Sequence, residues 1–311
     1  MRRCLLIVPL LPTLAQAQAP IDTRNHQAAS LVFLRFNPRG GLLGTGERSL
    51  AFGLTSANNL RFERAFREDQ ETERLSIRYR QGVARGEWSV ELPLLSRGGG
   101  FMDPLISGYH DLVGLPNFRK SIPFGRVEER IPGSGSFGSA TGIGDVVGTY
   151  ARPIGPQAFW SVAAKLSTGN AAGLLGSGGL DLGASLDARW KLGPRWSAFG
   201  TFALVLQGEP TRLERSRDLV DQESLAVTYR VNSRDSYAFQ FQSEPSAVRT
   251  GVDFVDGRHS QLSLGYTRRL RGADTLQAFF TEDGDFLNFR VPALVNIAPD
   301  FTIGLVYARR W

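Results

Sequence analysis

The stretch Asp181-Leu-Gly-Ala-Ser-Leu-Asp-Ala-Arg-Trp190, Lys191-Leu-Gly-Pro-Arg195, Trp196-Ser-Ala-Phe-Gly-Thr-Phe-Ala-Leu-Val-Leu-Gln207 decides the fold. In its first part Leu182, Ala184, Leu186, Ala188 and Trp190 alternate with Asp181, Gly183, Ser185, Asp187 and Arg189. A period of two sends the two sets to opposite faces of a β-strand, one apolar and one polar or small. Lys191 to Arg195, with its Gly-Pro pair, reads as a tight connection. A second strand then starts at Trp196, so a tryptophan stands on each side of the turn. That second strand is less regular, because Phe199 and Val205 fall on its polar side.

The pattern spreads outward from this hairpin. Leu75, Ile77 and Tyr79 alternate with Arg74, Ser76, Arg78 and Arg80, and Trp88, Val90, Leu92 and Leu94 with Ser89, Glu91 and Pro93. Trp160, Val162, Ala164 and Leu166 alternate with Ser161, Ala163 and Lys165, and Tyr237, Phe239 and Phe241 with Ala238, Gln240 and Gln242. The reading gives twelve strands: 49–57, 73–81, 87–95, 143–152, 158–168, 181–190, 196–207, 224–231, 236–244, 259–269, 274–281 and 301–311. Pro93 is awkward in a central strand, since it removes a ladder donor.

The connections alternate in length. Short ones follow every second strand, such as Pro153 to Gln157 and Lys191 to Arg195; long ones follow the others, the longest from Ser96 to Gly142. The aromatic residues sort the same way. Trp88, Trp160, Trp190, Trp196 and Trp311, with Tyr79, Tyr150, Tyr229, Tyr237, Tyr266 and Tyr307, all fall beside the short turns or the C-terminus, on the apolar face. A soluble core would not sort its aromatic rings to one end, whereas a membrane interface does. The expected fold is all-β: a transmembrane antiparallel up-and-down β-barrel of about twelve strands, with short periplasmic turns and long extracellular loops. It belongs in the outer membrane of a Gram-negative cell, with these rings as a girdle against lipid.

The N-terminus fits export. Arg2 and Arg3 precede the apolar run Leu5 to Leu14, and Ala15-Gln-Ala17 supplies small residues for a cut. The expected division is a signal peptide at 1–17, an N-terminal arm at 18–48 and the barrel at 49–311, with the mature chain starting at Gln18. Leu31, Phe33 and Phe36 suggest a short strand in the arm, which either pairs at the periplasmic rim or folds into the lumen as a partial plug. The only cysteine, Cys4, lies in the signal, so the mature chain has no disulfide and no thiolate metal ligand.

The formal charge of +6 comes from 36 basic and 30 acidic residues, a mixture that argues against nucleic acid as a partner. The runs Arg61 to Glu73 and Arg212 to Glu223 read as solvated outer loops that also suit lipopolysaccharide phosphates. Inside the barrel the expected lining is Arg74, Arg78, Arg80, Glu91, Asp145, Lys165, Asp187, Arg189 and Arg230, joined by Asp181 and Glu244. Arg74, Arg78 and Arg80 form a ladder that Glu91 would only partly neutralise, and such a ladder favours anions; the alternative is that the three bridge to acidic neighbours and brace a closed lumen. Catalytic, metal and cofactor signatures are lacking. Three histidines are too few for a cluster, and His259 and Ser260 are adjacent and so point to opposite faces, against the His–Ser pairing of a lipid hydrolase.

The last strand, Phe301-Thr-Ile-Gly-Leu-Val-Tyr-Ala-Arg-Arg-Trp311, resembles the assembly signal of outer-membrane barrels, ending in an aromatic residue. The resemblance implies recognition by the barrel-assembly machinery. Gly142-Ile-Gly-Asp145, Lys165-Leu-Ser-Thr-Gly-Asn170 and Gly176-Ser-Gly-Gly-Leu-Asp181 look like elements of phenol-degradation-type outer-membrane channels, linked to uptake of phenolic or other hydrophobic compounds. Thr23-Arg-Asn-His-Gln27 and Tyr109-His-Asp-Leu-Val-Gly-Leu-Pro-Asn117, with Arg119, look closer to the barrel family catalogued as domain of unknown function 3187. These resemblances imply an outer-membrane location and no established activity. The expected function is a passive channel for small molecules, hydrophobic or anionic. The alternatives are a closed structural or adhesion barrel acting through its outer loops, and a surface lipid hydrolase.

Overall fold

The computed structural model describes residues 18–62, 65–114, 117–283 and 301–311. Residues 1–17, expected from the sequence to be a signal peptide, and residues 284–300 of the last long connection lie outside the described residues. The strands are β1 (Arg48–Phe62), β2 (Arg67–Val83), β3 (Gly86–Gly98), β4 (Glu128–Ile131), β5 (Gly135–Phe137), β6 (Ala140–Ile143), β7 (Val147–Pro153) and β8 (Ala158–Lys165). They continue as β9 (Asp181–Lys191), β10 (Trp196–Leu206), β11 (Leu219–Arg230), β12 (Asp235–Pro245), β13 (Arg258–Arg269), β14 (Thr275–Asp283) and β15 (Phe301–Arg310). Among these, β1 to β3 and β7 to β15 make the closed twelve-strand wall, each antiparallel to its neighbours. β15 closes on β1 from Ser49 opposite Arg310 to Asn58 opposite Phe301. The seam is tied off by Arg48 and Trp311, whose backbone N–H groups donate to each other's carbonyls at 2.8 and 3.0 Å.

The wall inverts the burial of a soluble sheet. Leu54, Leu225 and Leu264 are 55%, 54% and 58% exposed, while Gln240, Thr228 and Ser263 are fully buried. A band of exposed leucines around a polar interior is stable only against lipid, so the barrel sits in the outer membrane.

Four features depart from the sequence reading. The expected fourth strand is split into β6 and β7, which pair with different parts of β3. The break falls beside Pro93, whose carbonyl accepts the Gly144 N–H at 2.8 Å. Second, β1 and β2 stay paired up to Phe62 and Arg67, well beyond the predicted strand ends. Glu68, Asp69, Gln70 and Glu71 in this extension are buried rather than solvated: β4 pairs alongside Arg67 to Asp69, Glu68 accepts from Gln27 of the arm, and Glu71 accepts the N–H groups of Phe101 and Met102. Third, the longest connection contains a helix, α2 (Met102–Val113), following the one-turn α1 (Ala28–Leu31) of the arm. Leu105 and Leu112 of α2 face out while Ile106 is buried. Finally, the arm forms that helical turn and no strand.

Candidate functional site

The arm runs inside the barrel, up one side and back. At the short-turn end the Gln18 amide donates to the Arg195 carbonyl at 2.7 Å. Ile21 exchanges bonds with the Gln240 side chain, its N–H donating to Oε1 at 2.8 Å and its carbonyl accepting from Nε2 at 3.1 Å. Higher up, the Asn25 amide meets His259 Nδ1 at 3.0 Å and the Gln27 amide donates to Glu68 at 3.1 Å. Around α1 the arm turns back, and Ala28, Val32 and Phe33 pack with Phe66, Ile131 and Phe137 at the outer end. On the return the Leu34 N–H donates to Asp181 at 2.7 Å and the Phe36 N–H to Gln222 at 2.9 Å. Arg35 pairs with Glu244 at 2.9 Å. Polar arm groups thus meet polar wall groups at several levels of the path, as a buried backbone without strand partners requires.

Apolar contacts fill the remaining space. Phe199 and Val205, the residues out of pattern on β10, are buried inward. Val205 packs with Leu34 and Phe36 of the arm. Inward glycines give these side chains room: a Cβ on Gly183 would lie 2.8 Å from the Phe36 ring, and one on Gly265 would lie 2.8 Å from Ile21. The hollows left between arm and wall include one of about 30 Å³ and two of about 10 Å³, room for a few waters.

The predicted lining residues gather around the arm. Arg74, Arg78 and Arg80 do face inward, but they are not a bare ladder. Glu91 accepts from Arg74 and from Arg78, the latter at 2.7 Å, and pairs with Arg24 of the arm at 3.4 Å. Arg78 also reaches Asp22 of the arm at 2.9 Å. Arg80 pairs with Glu87 at 2.7 Å, and Arg39 of the arm reaches the same carboxylate at 3.3 Å. The expectation of partly unpaired arginines is therefore corrected: the arm supplies an acid, and Glu87 a second wall acid, that the alternation of β2 alone did not disclose. Asp187 accepts from Thr201 at 2.7 Å and Ser185 at 3.0 Å. Arg189 lies 5.6 Å from the Phe199 ring. Arg230 is half-exposed at the mouth, where its guanidinium bonds to the Pro194 carbonyl.

Three separate glycine-rich motifs meet at one point. Asp145 accepts N–H bonds from Thr168, Gly169 and Ser177 at 3.0, 2.8 and 3.0 Å. Lys165 Nζ bonds Asp145 at 2.6 Å and the Gly179 carbonyl at 2.9 Å, and lies 3.6 Å from Asp181. Asp181 in turn holds Leu34, so this buried cluster anchors the returning limb of the arm. Arg119, in the motif after α2, bonds Asp103 and Asn58 at the outer end.

The aromatic residues stand in neighbouring pairs on the outer surface: Tyr79 and Trp88 with centroids 5.2 Å apart, Tyr150 and Trp160 6.0 Å, Trp196 and Tyr229 4.7 Å, Tyr237 and Tyr266 5.5 Å. Trp190 lies across Gly200, and the Tyr307 hydroxyl donates to Asp274 at 2.9 Å. His259 faces the lumen, committed to Asn25 and, at 3.4 Å, to the Val255 carbonyl.

A closed wall with lipid-facing leucines and a polar interior defines an outer-membrane β-barrel. The chain belongs to the family described as protein of unknown function (DUF3187), whose model matches residues 63–311. No curated protein matches it in sequence. Among solved structures, it is similar to the COG4313 outer membrane channel from Pseudomonas putida F1, at 15% identity and TM-score 0.60, over 89% of this chain and 100% of that one. Weaker likenesses include the NanC porin, at 9% identity and TM-score 0.45 over 84% and 98% of the two chains. The Ralstonia pickettii toluene transporter TbuX is at 9% and 0.40, over 95% and 96%. At these identities the likeness is one of fold.

Proposed function

We propose that this barrel is a passive channel for small molecules, closed by its own N-terminal arm and opened when the arm leaves the lumen. The observation that carries this reading is how the lumen is filled. A narrow structural barrel fills its interior with wall side chains. Here a separable segment outside every strand does so, held by hydrogen bonds, ion pairs and glycine seats. Many of the wall groups it covers, Gln240, Gln222, Asp181 and Glu91 among them, are polar or charged and can take up water when it leaves, while the apolar seats around Phe66, Ile131, Val205 and Phe279 favour the closed state.

Opening also changes the lumen's charge. The arm takes Arg24, Arg35 and Arg39 with it against one acid, Asp22. It leaves Glu87, Glu91, Asp145, Asp181, Asp187 and Glu244 facing Arg74, Arg78, Arg80, Lys165 and Arg189. The open pore therefore has no surplus of arginine, and the permeants that suit it are small polar molecules with little charge preference.

Planar-bilayer recordings test this. The full chain is expected to conduct weakly and in bursts. A chain lacking residues 20–39 is expected to conduct steadily and several-fold more, with a reversal potential under a salt gradient near zero or slightly cation-favouring. Silence from both proteins would favour the second reading, a closed barrel braced by its ion pairs and acting through its outer loops. The partners that suit either reading are outer-membrane lipid, lipopolysaccharide at the outer end and the assembly machinery at β15.

A further inference from the structure

The short-turn end carries more basic than acidic side chains. Arg85, Arg152, Arg195, Arg234 and Arg271, one on or beside each short turn, are all exposed. Fewer acids stand beside them. Glu47 is paired with Arg310, Asp274 accepts the Tyr307 hydroxyl and Glu87 is buried, while Asp235, which accepts the Tyr266 hydroxyl at 2.6 Å, also lies 3.8 Å from Arg268 and offsets one cation. The charge is densest between two adjacent turns, where Arg234, Arg268, Arg269 and Arg271 surround an open hollow of about 670 Å³. The turns are held together there by the Arg269 N–H, which donates to the Arg234 carbonyl at 2.7 Å.

A second observation concerns the order of side chains along the barrel axis. Beside the cations, four of the five turns begin with an exposed aliphatic residue: Ile154, Leu192, Val231 and Leu270. Just above them lie the aromatic pairs. Rings, then aliphatic side chains interleaved with guanidinium groups, is the order of a lipid headgroup layer. A soluble acidic partner would not call for the exposed aliphatics.

We infer that this collar binds the phosphodiester headgroups of anionic phospholipids in the inner leaflet, with the four-arginine hollow as the principal seat. The guanidinium fork matches phosphate oxygens in pairs, and clustered basic side chains draw anionic lipid to a membrane surface. The inference needs the short-turn end to lie at a phospholipid leaflet but is independent of whether the lumen opens.

All five tryptophans lie at this end, so their fluorescence reports the lipid beside the collar. The purified full chain is reconstituted in phosphatidylcholine vesicles containing phosphatidylglycerol, with one lipid or the other brominated at equal mole fraction. Brominated phosphatidylglycerol is expected to quench several-fold more effectively than brominated phosphatidylcholine. In the variant carrying Arg234→Gln, Arg268→Gln and Arg271→Gln the preference should fall toward unity, with heat-modifiability confirming that the barrel still folds. Equal quenching by both lipids, as a collar meant for a soluble acidic partner would give, overturns the proposal. So does a preference that survives the triple substitution.

Discussion

Gly183 shows how much of this molecule turns on one missing carbon. It faces inward on β9, and Phe36 and Leu34 occupy the space its side chain would take, at 2.8 and 3.0 Å from a Cβ position. Valine there would overpack the seat at a cost of roughly 1–3 kcal/mol, and the arm yields more readily than a wall held by two ladders. Gly183→Val is therefore expected to leave the barrel intact and expose the arm, so that trypsin cuts after Arg24 and Arg35, which are buried in the parent protein. Equal protection in both proteins would show that the arm is seated by something other than this fit. The inward small residues of the strands are legible in the sequence as one face of the alternation. What they touch is not, because the contacts come from a segment more than a hundred residues away. Val205 was the visible mark of it, an apolar side chain on a face that should be polar.

At the scale of elements, strands were legible wherever one face met lipid and the other the lumen. The reading failed where that asymmetry ends. In the outer part of β2 the polar residues meet β4, the arm and the start of α2, so a charged run that reads as a solvated loop is a buried strand. Its centre is a pair of carboxyl groups, Glu68 opposite Glu129, with the Gln70 amide donating to Glu129 at 2.6 Å. Burial, and then the Glu68 carboxylate beside it, push the Glu129 carboxyl in the outer hairpin well above its ordinary range. The folded hairpin thus binds a proton that the unfolded one releases near the usual glutamate value. Its contribution to stability is complete below that value and is lost as pH rises through the raised one. Hydrogen exchange over residues 128–137, corrected for intrinsic rates, should show the β4–β5 hairpin loosening as pH rises above the ordinary carboxylate range. Glu129→Gln should flatten the dependence; a pH-independent parent hairpin would refute it.

For the whole molecule the decisive contact is the seam. β15 must find β1, and Trp311 ends that pairing with two backbone bonds to Arg48 and an exposed ring at the aromatic level. Removing it deletes both bonds and the terminal aromatic residue that resembles an assembly signal. A chain lacking Trp311 is expected to give a markedly lower yield of heat-modifiable barrel in the outer membrane, while the protein that does assemble keeps its conductance. Undiminished assembly would show that the seam closes without it. Barrel architecture, strand number and the sorted aromatic residues were all carried by local pattern. For the arm, the sequence offered both the rim and the lumen and did not choose between them, since the choice depends on which acid meets which arginine across the interior.

The path of the arm has a consequence for the order of folding. Its ascending limb bonds residues made near the end of synthesis: Ile21 to Gln240, Asn25 to His259, and Pro20 to Gln277, a separation of 257 positions. Such distant pairings are slow to form, and none of them exists while the sheet is still missing its last third. Until then the arm waits without its wall partners. Curling the sheet around this waiting segment and joining its two edges become one cooperative event, with the N-terminal arm serving as the mandrel on which the latest strands are wound.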